Sequence, residues 1–248
     1  MRDHFAIFPR ETKEMALTLA LTDQTLLIWG EPGTGKEFLA RFIHRRSFRA
    51  EKPLVIMELD ELPRCVAMVH EWPKRWKSGS ALPTVTDGRL LDASGGTLCI
   101  SHVDDEDAWS QGVLLSFLEN PVFRDLTGED IPLDFRVILL SDRNLQDGVR
   151  EKWFREDLYY RLSGFTLYLR PLRERRGEMR QIVTALLQAS GKSEFDPDLD
   201  ELDNQELENL CRYHWPGNIR ELQSVLTDAT MFAGGRRKLE RWISTRLV

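Results

Sequence analysis

The sequence predicts an α/β fold in which a parallel sheet lies between layers of helices, with a small helical domain after it. Two observations predict the sheet: short, β-rich apolar runs recur along the chain, and helical patterns separate them. The apolar runs lie at 25–29, 54–57, 97–100 and 135–140. The helical pattern at 113–118 carries Leu114, Leu115 and Leu118 on one face. Alternation of this kind is typical of βαβ units, whose strands pair in parallel.

The third observation is a change of pattern near Gly177, where the strand signals stop. Pro171 ends an extended segment just before this point. Amphipathic helical stretches then follow at 179–189, 201–213 and 218–232. We therefore predict an α/β domain over residues 1–172 and a helical domain over residues 173–248.

A glycine-rich turn joins the first apolar run to a helical pattern. Its residues in chain order are Gly30, Glu31, Pro32, Gly33, Thr34, Gly35, Lys36 and Glu37. Strand, turn and helix in this order are typical of a phosphate-binding loop, in which glycines let backbone N–H groups point at phosphate oxygens while the helix N-terminus and a lysine add positive charge. We expect these residues to bind nucleotide phosphates, and a glycine turn without a ligand is the alternative. Glu37 departs from most such loops, which place serine or threonine there.

Composition, net charge and cysteine spacing limit the classes of protein to which this chain can belong. With 248 residues and 42% hydrophobic content, the chain can bury a full core. We expect a cytoplasmic protein without a membrane segment, because no apolar run reaches membrane-spanning length and residues 1–10 lack a signal-peptide pattern. The net charge of −6 argues against direct DNA binding. Cys65, Cys99 and Cys211 lack a metal-binding spacing, so we expect them in the core and predict no set of metal ligands.

Further motifs cover nearly the whole chain. They are Gly-Gly-Thr-Leu at 95–98, Phe-Arg-Glu-Asp-Leu-Tyr-Tyr-Arg-Leu at 154–162, Pro-Leu-Arg-Glu-Arg at 171–175 and Trp-Pro-Gly-Asn-Ile-Arg-Glu-Leu at 215–222. Together with the glycine-rich loop, they make the chain resemble the central AAA+ ATPase domain of bacterial sigma-54-dependent transcription activators. That family also carries glutamate at the last loop position, so Glu37 fits. The resemblance implies a P-loop AAA+ fold with α/β/α layers and a helical lid, ATP or ADP as the ligand, and assembly into a ring.

The resemblance also assigns roles to arginines. It implies that Arg155 and Arg161 are fingers that reach from one subunit onto the γ-phosphate of its neighbour, where such a group can contribute roughly 10³–10⁵ in rate. It implies that Arg220, in the lid, acts on the nucleotide of its own subunit. The alternative for these arginines is an ordinary ion pair on a helix face, with Glu156, Asp157 or Glu221 as the partner.

The chain departs from the family at the end of the apolar run 97–100. The family has an Asp-Glu pair there, whose aspartate holds Mg²⁺ through water and whose glutamate polarises the attacking water. This chain has Ser101 and His102 instead. Serine carries no charge, so we expect Mg²⁺ to be held only weakly. Histidine is a poor substitute for a carboxylate that positions one water, and losing such a base typically lowers the rate by ~10²–10⁴.

A second departure is Asp142, which stands where the family has an asparagine that helps to orient the γ-phosphate. Its charge would repel phosphate oxygens unless it captures Mg²⁺ or an arginine such as Arg143. Asp104 or Asp105 could replace the missing acids only from a displaced position, and small misplacements are costly. The alternative for these aspartates is a solvated acidic loop.

A third departure concerns the loop with which activators of this family grip sigma-54. Its Gly-Ala-Phe-Thr-Gly-Ala sequence is replaced here by residues 77–82, which lack the aromatic tip. The segment just before is basic and aromatic, and it either binds an acidic partner or is a loop anchored by tryptophan. Its residues are Trp72, Lys74, Arg75, Trp76 and Lys77. Because the chain begins just before the ATPase core and ends after the lid, we expect neither a receiver domain nor a DNA-reading helix-turn-helix.

These observations leave three hypotheses. The favoured one is a transcription-regulatory AAA+ subunit that binds ATP or ADP, hydrolyses it slowly or not at all, and assembles with itself or a related activator subunit as a ring or dimer. Such a subunit would act on sigma-54 RNA polymerase only indirectly, and the retained Arg155 and Arg161 favour it because they serve a neighbouring site. The second is a functional ATPase that remodels sigma-54 RNA polymerase. The third is an interaction module that needs no nucleotide. The three differ in whether the chain is an enzyme.

Overall fold

The computed structural model of the chain describes residues 4–63, 89–104, 107–124, 130–189, 204–230 and 245. The strands are β1 (Leu26–Trp29), β2 (Leu54–Glu58), β3 (Thr97–Ser101), β4 (Val122–Arg124), β5 (Asp130–Pro132), β6 (Arg136–Ser141) and β7 (Thr166–Tyr168). The helices are α1 (Arg10–Ala20), α2 (Lys36–Arg45), α3 (Arg89–Asp92), α4 (Ala108–Glu119), α5 (Leu145–Glu151), α6 (Glu156–Leu162), α7 (Met179–Ala189), α8 (Asn204–Arg212) and α9 (Asn218–Thr230). Short 3-10 turns lie at His4–Ile7, Leu59–Glu61, Leu172–Glu174 and Arg176–Glu178.

Five strands form one sheet in the order β2-β3-β6-β1-β7, and every neighbouring pair in it is parallel. The short strands β4 and β5 pair antiparallel as a separate ribbon. Every residue of β6 is buried, as expected for a central parallel strand with both faces covered. The predicted parallel α/β fold followed by a helical lid is therefore confirmed.

The described residues divide into two compact units. One comprises Leu17–Trp29 and Glu37–Tyr168, and it contains the whole five-stranded sheet. The other comprises Met1–Ala16, Gly30–Lys36 and Leu169–Val248, so the glycine-rich loop groups with the lid helices. The domain boundary at residue 172 that the sequence suggests stays a prediction.

The sheet unit has an apolar core on one face of its central strands. Side chains from β1, β3 and β6 meet there with the inner faces of α4 and α6, because alternate strand residues point to the same side. Its members include Leu27, Leu98, Ile100, Leu139, Leu114, Phe117, Leu158 and Leu162. Burial of these side chains is the main favourable contribution to folding of this unit.

A buried arginine ties α1 to the sheet. Arg136, at the start of β6, donates from Nη2 to the carbonyl oxygen of Leu19 at 2.8 Å and from Nη1 to that of Ala20 at 3.5 Å. These carbonyls belong to the last turn of α1, where helix carbonyls lack partners in the helix and the helix dipole favours a cation. At Leu19, the contact adds to hydrogen bonds that the carbonyl oxygen already accepts from the backbone N–H and Oγ1 of Thr22.

The cysteine prediction is confirmed in part. Cys99 is fully buried in β3, and burial raises the pKa of its thiol to about 12. Cys211 is wrongly predicted as a core residue: it is only half-buried on α8, with its Sγ 3.5 Å from the carbonyl oxygen of Arg176. The amphipathic pattern predicts the helix that contains Cys211, but it does not distinguish a fully buried position from one at the edge of the apolar face. Cys65 lies outside the described residues.

None of the described helices is long and apolar enough to cross a membrane.

Replacing Leu139 by alanine is expected to lower the free energy of unfolding by about 2–5 kcal/mol, because the change leaves a cavity where a leucine was fully buried. Leu21→Ala is the matched control, since Leu21 is 61% exposed, and it should change stability by less than about 0.5 kcal/mol. Urea unfolding followed by tryptophan fluorescence measures both. Equal losses in the two variants would contradict the central position of β6.

Candidate functional site

The glycine-rich loop begins directly after β1 and ends where α2 starts. Gly33 and Gly35 have φ values of 79° and 99°, in the left-handed region that glycine adopts readily. Thr34 Oγ1 donates to the carbonyl oxygen of Glu31 at 2.8 Å, which closes the turn. Lys36 Nζ donates to the carbonyl oxygens of Gly30 at 2.5 Å and Glu31 at 3.0 Å. The lysine ammonium thus lies against the loop that the sequence predicts to bind phosphate.

The turn before α9 approaches the loop closely. The backbone N–H of Arg220 donates to the carbonyl oxygen of Gly33 at 3.2 Å. A Cβ added to Gly33 would lie 2.2 Å from the carbonyl oxygen of Gly217, so only glycine fits there. The side chain of Arg220 is exposed. Arg220 is therefore held beside the loop by its main chain, with its guanidinium outside the core.

Asn218 connects the loop, the turn and the segment that leads into the lid. It is fully buried and has a left-handed φ of 51°. Its Nδ2 donates to the carbonyl oxygen of Pro32 at 2.9 Å and to Glu31 Oε2 at 3.4 Å. Its Oδ1 accepts from the backbone N–H of Leu172 at 2.8 Å. One amide side chain therefore satisfies polar groups from three segments of the chain.

A bidentate ion pair completes this arrangement. Arg173 Nη1 donates to Glu31 Oε2 at 2.7 Å, and its Nη2 donates to Glu31 Oε1 at 2.5 Å. The Arg173 guanidinium, helped by the Asn218 amide, holds the pKa of the Glu31 carboxyl below its ordinary value. Paired hydrogen bonds of this kind fix orientation as well as charge. The Glu31 carboxylate is thereby held in a fixed orientation within the glycine-rich loop.

At the sheet edge, Ser101 and His102 have local partners. Ser101, the last residue of β3, donates from Oγ to the carbonyl oxygen of Met57 at 3.2 Å. His102 follows with a left-handed φ of 55°, and its ring is 58% exposed. His102 Nδ1 lies 3.7 Å from Asp142 Oδ2. The backbone N–H of Asp142 donates to Asp104 Oδ1 at 3.0 Å. Positions after β3 and β6 therefore meet at the carboxyl edge of the sheet.

Arg143, proposed above as one possible partner for Asp142, stacks on an aromatic ring. Its guanidinium carbon lies 3.8 Å from the centroid of the Trp153 ring. This is within the range of a cation–π interaction. The preceding residue, Ser141, accepts a hydrogen bond at its Oγ from the backbone N–H of Arg143 at 3.2 Å. The tight turn after β6 is thus stabilised by its own side chains.

The two predicted finger arginines have different surroundings. Arg155 occupies the residue position just before α6 and donates from Nε and Nη2 to the two carboxylate oxygens of Asp157, at 3.0 and 2.7 Å. The ion pair considered from the sequence is therefore present for Arg155. Arg161 is exposed and donates from Nη2 to the carbonyl oxygen of Leu118 at 3.2 Å. The function of both arginines as fingers stays a prediction.

Some predicted features lie outside the described residues. They are the basic and aromatic segment with the loop after it, over 72–82, and Asp105. Within the described residues, no three or more His, Cys, Asp and Glu side chains are grouped so that they could hold a metal ion.

Sequence reasoning missed two residues that the structure brings to the loop. Arg173 and Asn218 were noted only as parts of motifs, without a role. The available signal is that Arg173 lies two residues after Pro171 and Asn218 directly after Gly217, because prolines and glycines mark turns where side chains bond to nearby backbone. That signal locates the turns but does not tell which distant segment they meet.

A parallel sheet, a glycine-rich loop directly after one of its strands and a helical lid define a P-loop nucleotide-binding protein of the AAA+ class. Two family descriptions match the chain: "Sigma-54 interaction domain" over residues 8–168 and "AAA+ ATPase lid domain" over residues 173–242. The chain therefore belongs to the sigma-54 interaction domain family.

Relatives and solved structures agree with this assignment. Regulatory protein AtoC of Escherichia coli K12 is 34% identical over 218 residues, which cover 88% of this chain and 47% of AtoC. The DNA-binding transcriptional regulator NtrC of Klebsiella pneumoniae is 31% identical over 248 residues, which cover 100% of this chain and 51% of NtrC. A crystal structure of NtrX from Brucella abortus in complex with ATP has a TM-score of 0.70 at 26% identity, over 89% of this chain and 50% of NtrX. The chain thus spans about half the length of the curated relatives it matches.

Gly33→Ala is expected to destabilise the loop, because a Cβ there meets the Gly217 carbonyl oxygen and the backbone φ is left-handed. The expected loss is about 1–3 kcal/mol in the free energy of unfolding. Gly177→Ala is the matched control, since a Cβ at Gly177 meets nothing within 4 Å. Thermal unfolding of both variants measures the effect. A Gly33→Ala variant as stable as the control would contradict the close approach of the Gly217 turn.

Glu31 predicts a pH dependence. Its folded pKa is lowered, so its ion pair contributes stability that is present above the ordinary glutamate pKa and is lost as the pH falls through the lowered value. The stability difference between wild type and Glu31→Gln should therefore shrink as the pH drops below roughly 4.3. Urea unfolding of both proteins across this range measures the difference. A difference that grows on acidification would contradict the pairing with Arg173.

Proposed function

We propose that this domain binds ATP or ADP through its phosphate loop, hydrolyses it slowly or not at all, and regulates transcription by assembling with itself or with a related AAA+ subunit. The observation that carries the proposal is the end of β3, where Ser101 and His102 stand in place of an acidic pair. Ser101 has no charge to offer Mg²⁺ or its waters. The His102 side chain is 58% exposed and its Nδ1 lies 3.7 Å from Asp142 Oδ2, so it is poorly suited to positioning a single water.

The loop supports phosphate binding. Gly33 and Gly35 adopt backbone conformations that let their N–H groups turn inward, and Lys36 is held at the loop by two carbonyl oxygens that phosphate oxygens would replace as its partners. Gly30, Glu31, Pro32, Thr34 and Glu37 complete the proposed binding segment. Arg220, held beside Gly33 through its main chain, would add a positive charge from the lid. Mg²⁺ would be held mainly by the nucleotide phosphates, hence weakly by the protein.

The assembly part of the proposal rests on Arg155 and Arg161. Both side chains reach the surface, where they could contact a second subunit. In this proposal, Arg155 exchanges the Asp157 carboxylate for a phosphate of the neighbour, while Arg161 gives up only a backbone carbonyl oxygen. Fingers of this kind serve the partner's nucleotide, so they keep a use in a subunit whose own hydrolysis is impaired. An indirect action on sigma-54 RNA polymerase and the absence of direct DNA contact are parts of the same proposal.

A second candidate function is ATP hydrolysis with displaced acids. Asp104 favours it, because its carboxylate lies at the same sheet edge as Asp142 and bonds to the Asp142 backbone N–H. This aspartate follows the strand end by several residues, and catalytic groups tolerate little misplacement. The candidate therefore requires measurable turnover that depends on Lys36 and Asp104.

Nucleotide titration with parallel turnover measurement tests the proposal on wild type, Lys36→Ala and Ser101→Asp/His102→Glu. ATP at 100 times its Kd should stabilise wild type by about 2.7 kcal/mol, and Lys36→Ala should lose most of this stabilisation. Wild-type turnover should exceed that of Lys36→Ala only slightly or not at all, and it should not depend on Asp104. The double variant should raise turnover by up to ~10²–10⁴, because it restores an acid for Mg²⁺ and a base for water.

The contrary outcomes are distinct. Wild-type turnover that exceeds Lys36→Ala and falls in Asp104→Asn would support the second candidate. No stabilisation of wild type by ATP or ADP would contradict nucleotide binding and leave the interaction module that needs no nucleotide.

A further inference from the structure

The phosphate loop contains a carboxylate at its second position. Glu31 lies between Gly30 and Pro32, and its own carbonyl oxygen accepts a hydrogen bond from Lys36 Nζ at 3.0 Å. The lysine charge also contributes to lowering the pKa of the Glu31 carboxyl. An uncompensated negative charge here would repel a polyphosphate and would attract the lysine that phosphate needs. Binding of an anionic ligand therefore requires that this charge be balanced.

Arg173 supplies the balance. Its two terminal nitrogens donate to the two oxygens of Glu31 at 2.7 and 2.5 Å, so the guanidinium faces the carboxylate edge to edge. This geometry matches the planar fork of arginine, which lysine cannot reproduce. Asn218 fixes both partners, since its Nδ2 donates to Glu31 Oε2 and its Oδ1 accepts from the N–H of Leu172, the residue before Arg173. Arg173 is thus held in place by its neighbour as well as by its charge.

We propose that Arg173 is a positioning residue for nucleotide phosphates: it neutralises and orients the Glu31 carboxylate, which leaves Lys36 and the loop N–H groups as the dominant charges toward the ligand. The inference rests on the proposed nucleotide binding and assigns Arg173 no contact with the nucleotide. The alternative is that Arg173 is a structural clamp that only holds the loop in shape. The two roles differ in whether the effect of Arg173 on binding depends on the charge of the ligand. A clamp would affect all nucleosides and nucleotides alike, whereas neutralisation affects a ligand in proportion to its phosphate charge.

The test is calorimetric titration of ATP, ADP and adenosine into wild type, Arg173→Ala, Glu31→Gln and the double variant Glu31→Gln/Arg173→Ala at low ionic strength. Arg173→Ala should weaken ATP binding by roughly tenfold, the order of one unit-charge interaction near a protein surface. It should weaken ADP binding less and leave adenosine unchanged. The double variant should recover most of the lost ATP affinity. Added salt should reduce the ATP effect, because exposed charges are screened.

The single variant Glu31→Gln distinguishes neutralisation by Arg173 from structural clamping, because the two roles predict opposite changes in ATP affinity. Neutralisation predicts that it strengthens ATP binding, because Arg173 then adds an unbalanced positive charge beside the loop. A structural clamp predicts weaker binding of all three ligands. This variant keeps the side-chain shape and its bond to Asn218, so it also serves if Arg173→Ala does not fold.

Arg170→Ala is the matched control. It removes the same charge from the same segment, but Arg170 pairs with Glu178 at 3.7 Å and not with the loop. Its ATP affinity should stay within about twofold of wild type, because the change leaves the Glu31–Arg173 pair intact and removes only a partly exposed ion pair, which is usually worth little. The inference would be overturned if Arg173→Ala lost equal affinity for ATP and adenosine, or if the double variant recovered no ATP affinity. Binding of ATP or ADP by wild type would still support the proposed function in either case. Failure of wild type to bind ATP and ADP would overturn both.

Discussion

Parallel hydrogen bonding of β6 to β1 on one side and to β3 on the other is the constraint on which the sheet unit depends. It aligns the strands by their carboxyl ends, so that Trp29 lies beside Ser141 and Ile100 beside Leu139. Residues that follow β3 and β6 therefore come together at one edge. Because β1 also ends there, the first residue of the glycine-rich loop starts from that edge. Backbone pairing by itself therefore brings together chain segments that are far apart in sequence.

The glycine-rich loop depends on a second constraint, which is steric and polar. Gly33 tolerates the Gly217 carbonyl oxygen only because it lacks a Cβ, and Asn218 tolerates its left-handed backbone because asparagine visits this region more readily than most residues. The buried Asn218 amide then satisfies groups of the loop and of the segment before the lid. An unsatisfied buried amide is costly, so this amide favours one arrangement of the three segments. The same arrangement holds the main chain of Arg220 beside the loop.

The glycine-rich loop and the sheet edge, each considered by itself, carry different sets of charges. In the loop, the Glu31 carboxylate is paired with the Arg173 guanidinium, and Lys36 adds a further positive group. At the sheet edge, the side chain after β3 is an exposed histidine and the one after Ser141 is an aspartate, with 3.7 Å between them. The proposed function takes phosphate binding from the loop and slow or absent hydrolysis from the residues that follow β3.

The sequence by itself determined the fold class, four strands of the parallel sheet and the glycine-rich loop at 30–37, because hydrophobic periodicity and glycine spacing are local properties. It did not predict the short strands β4, β5 and β7, whose three residues each carry too little periodicity. It placed α7 at Met179–Ala189 without error, since that helix has an unambiguous amphipathic pattern. Only the tertiary structure decided that Glu31 pairs with Arg173 and that Asn218 joins three segments. It also decided that the His102 side chain lies next to Asp142. It also decided that Arg155 pairs with Asp157 among the acids available to it. These contacts depend on which chain segments the fold brings within hydrogen-bonding distance, and no spacing along the sequence encodes that distance.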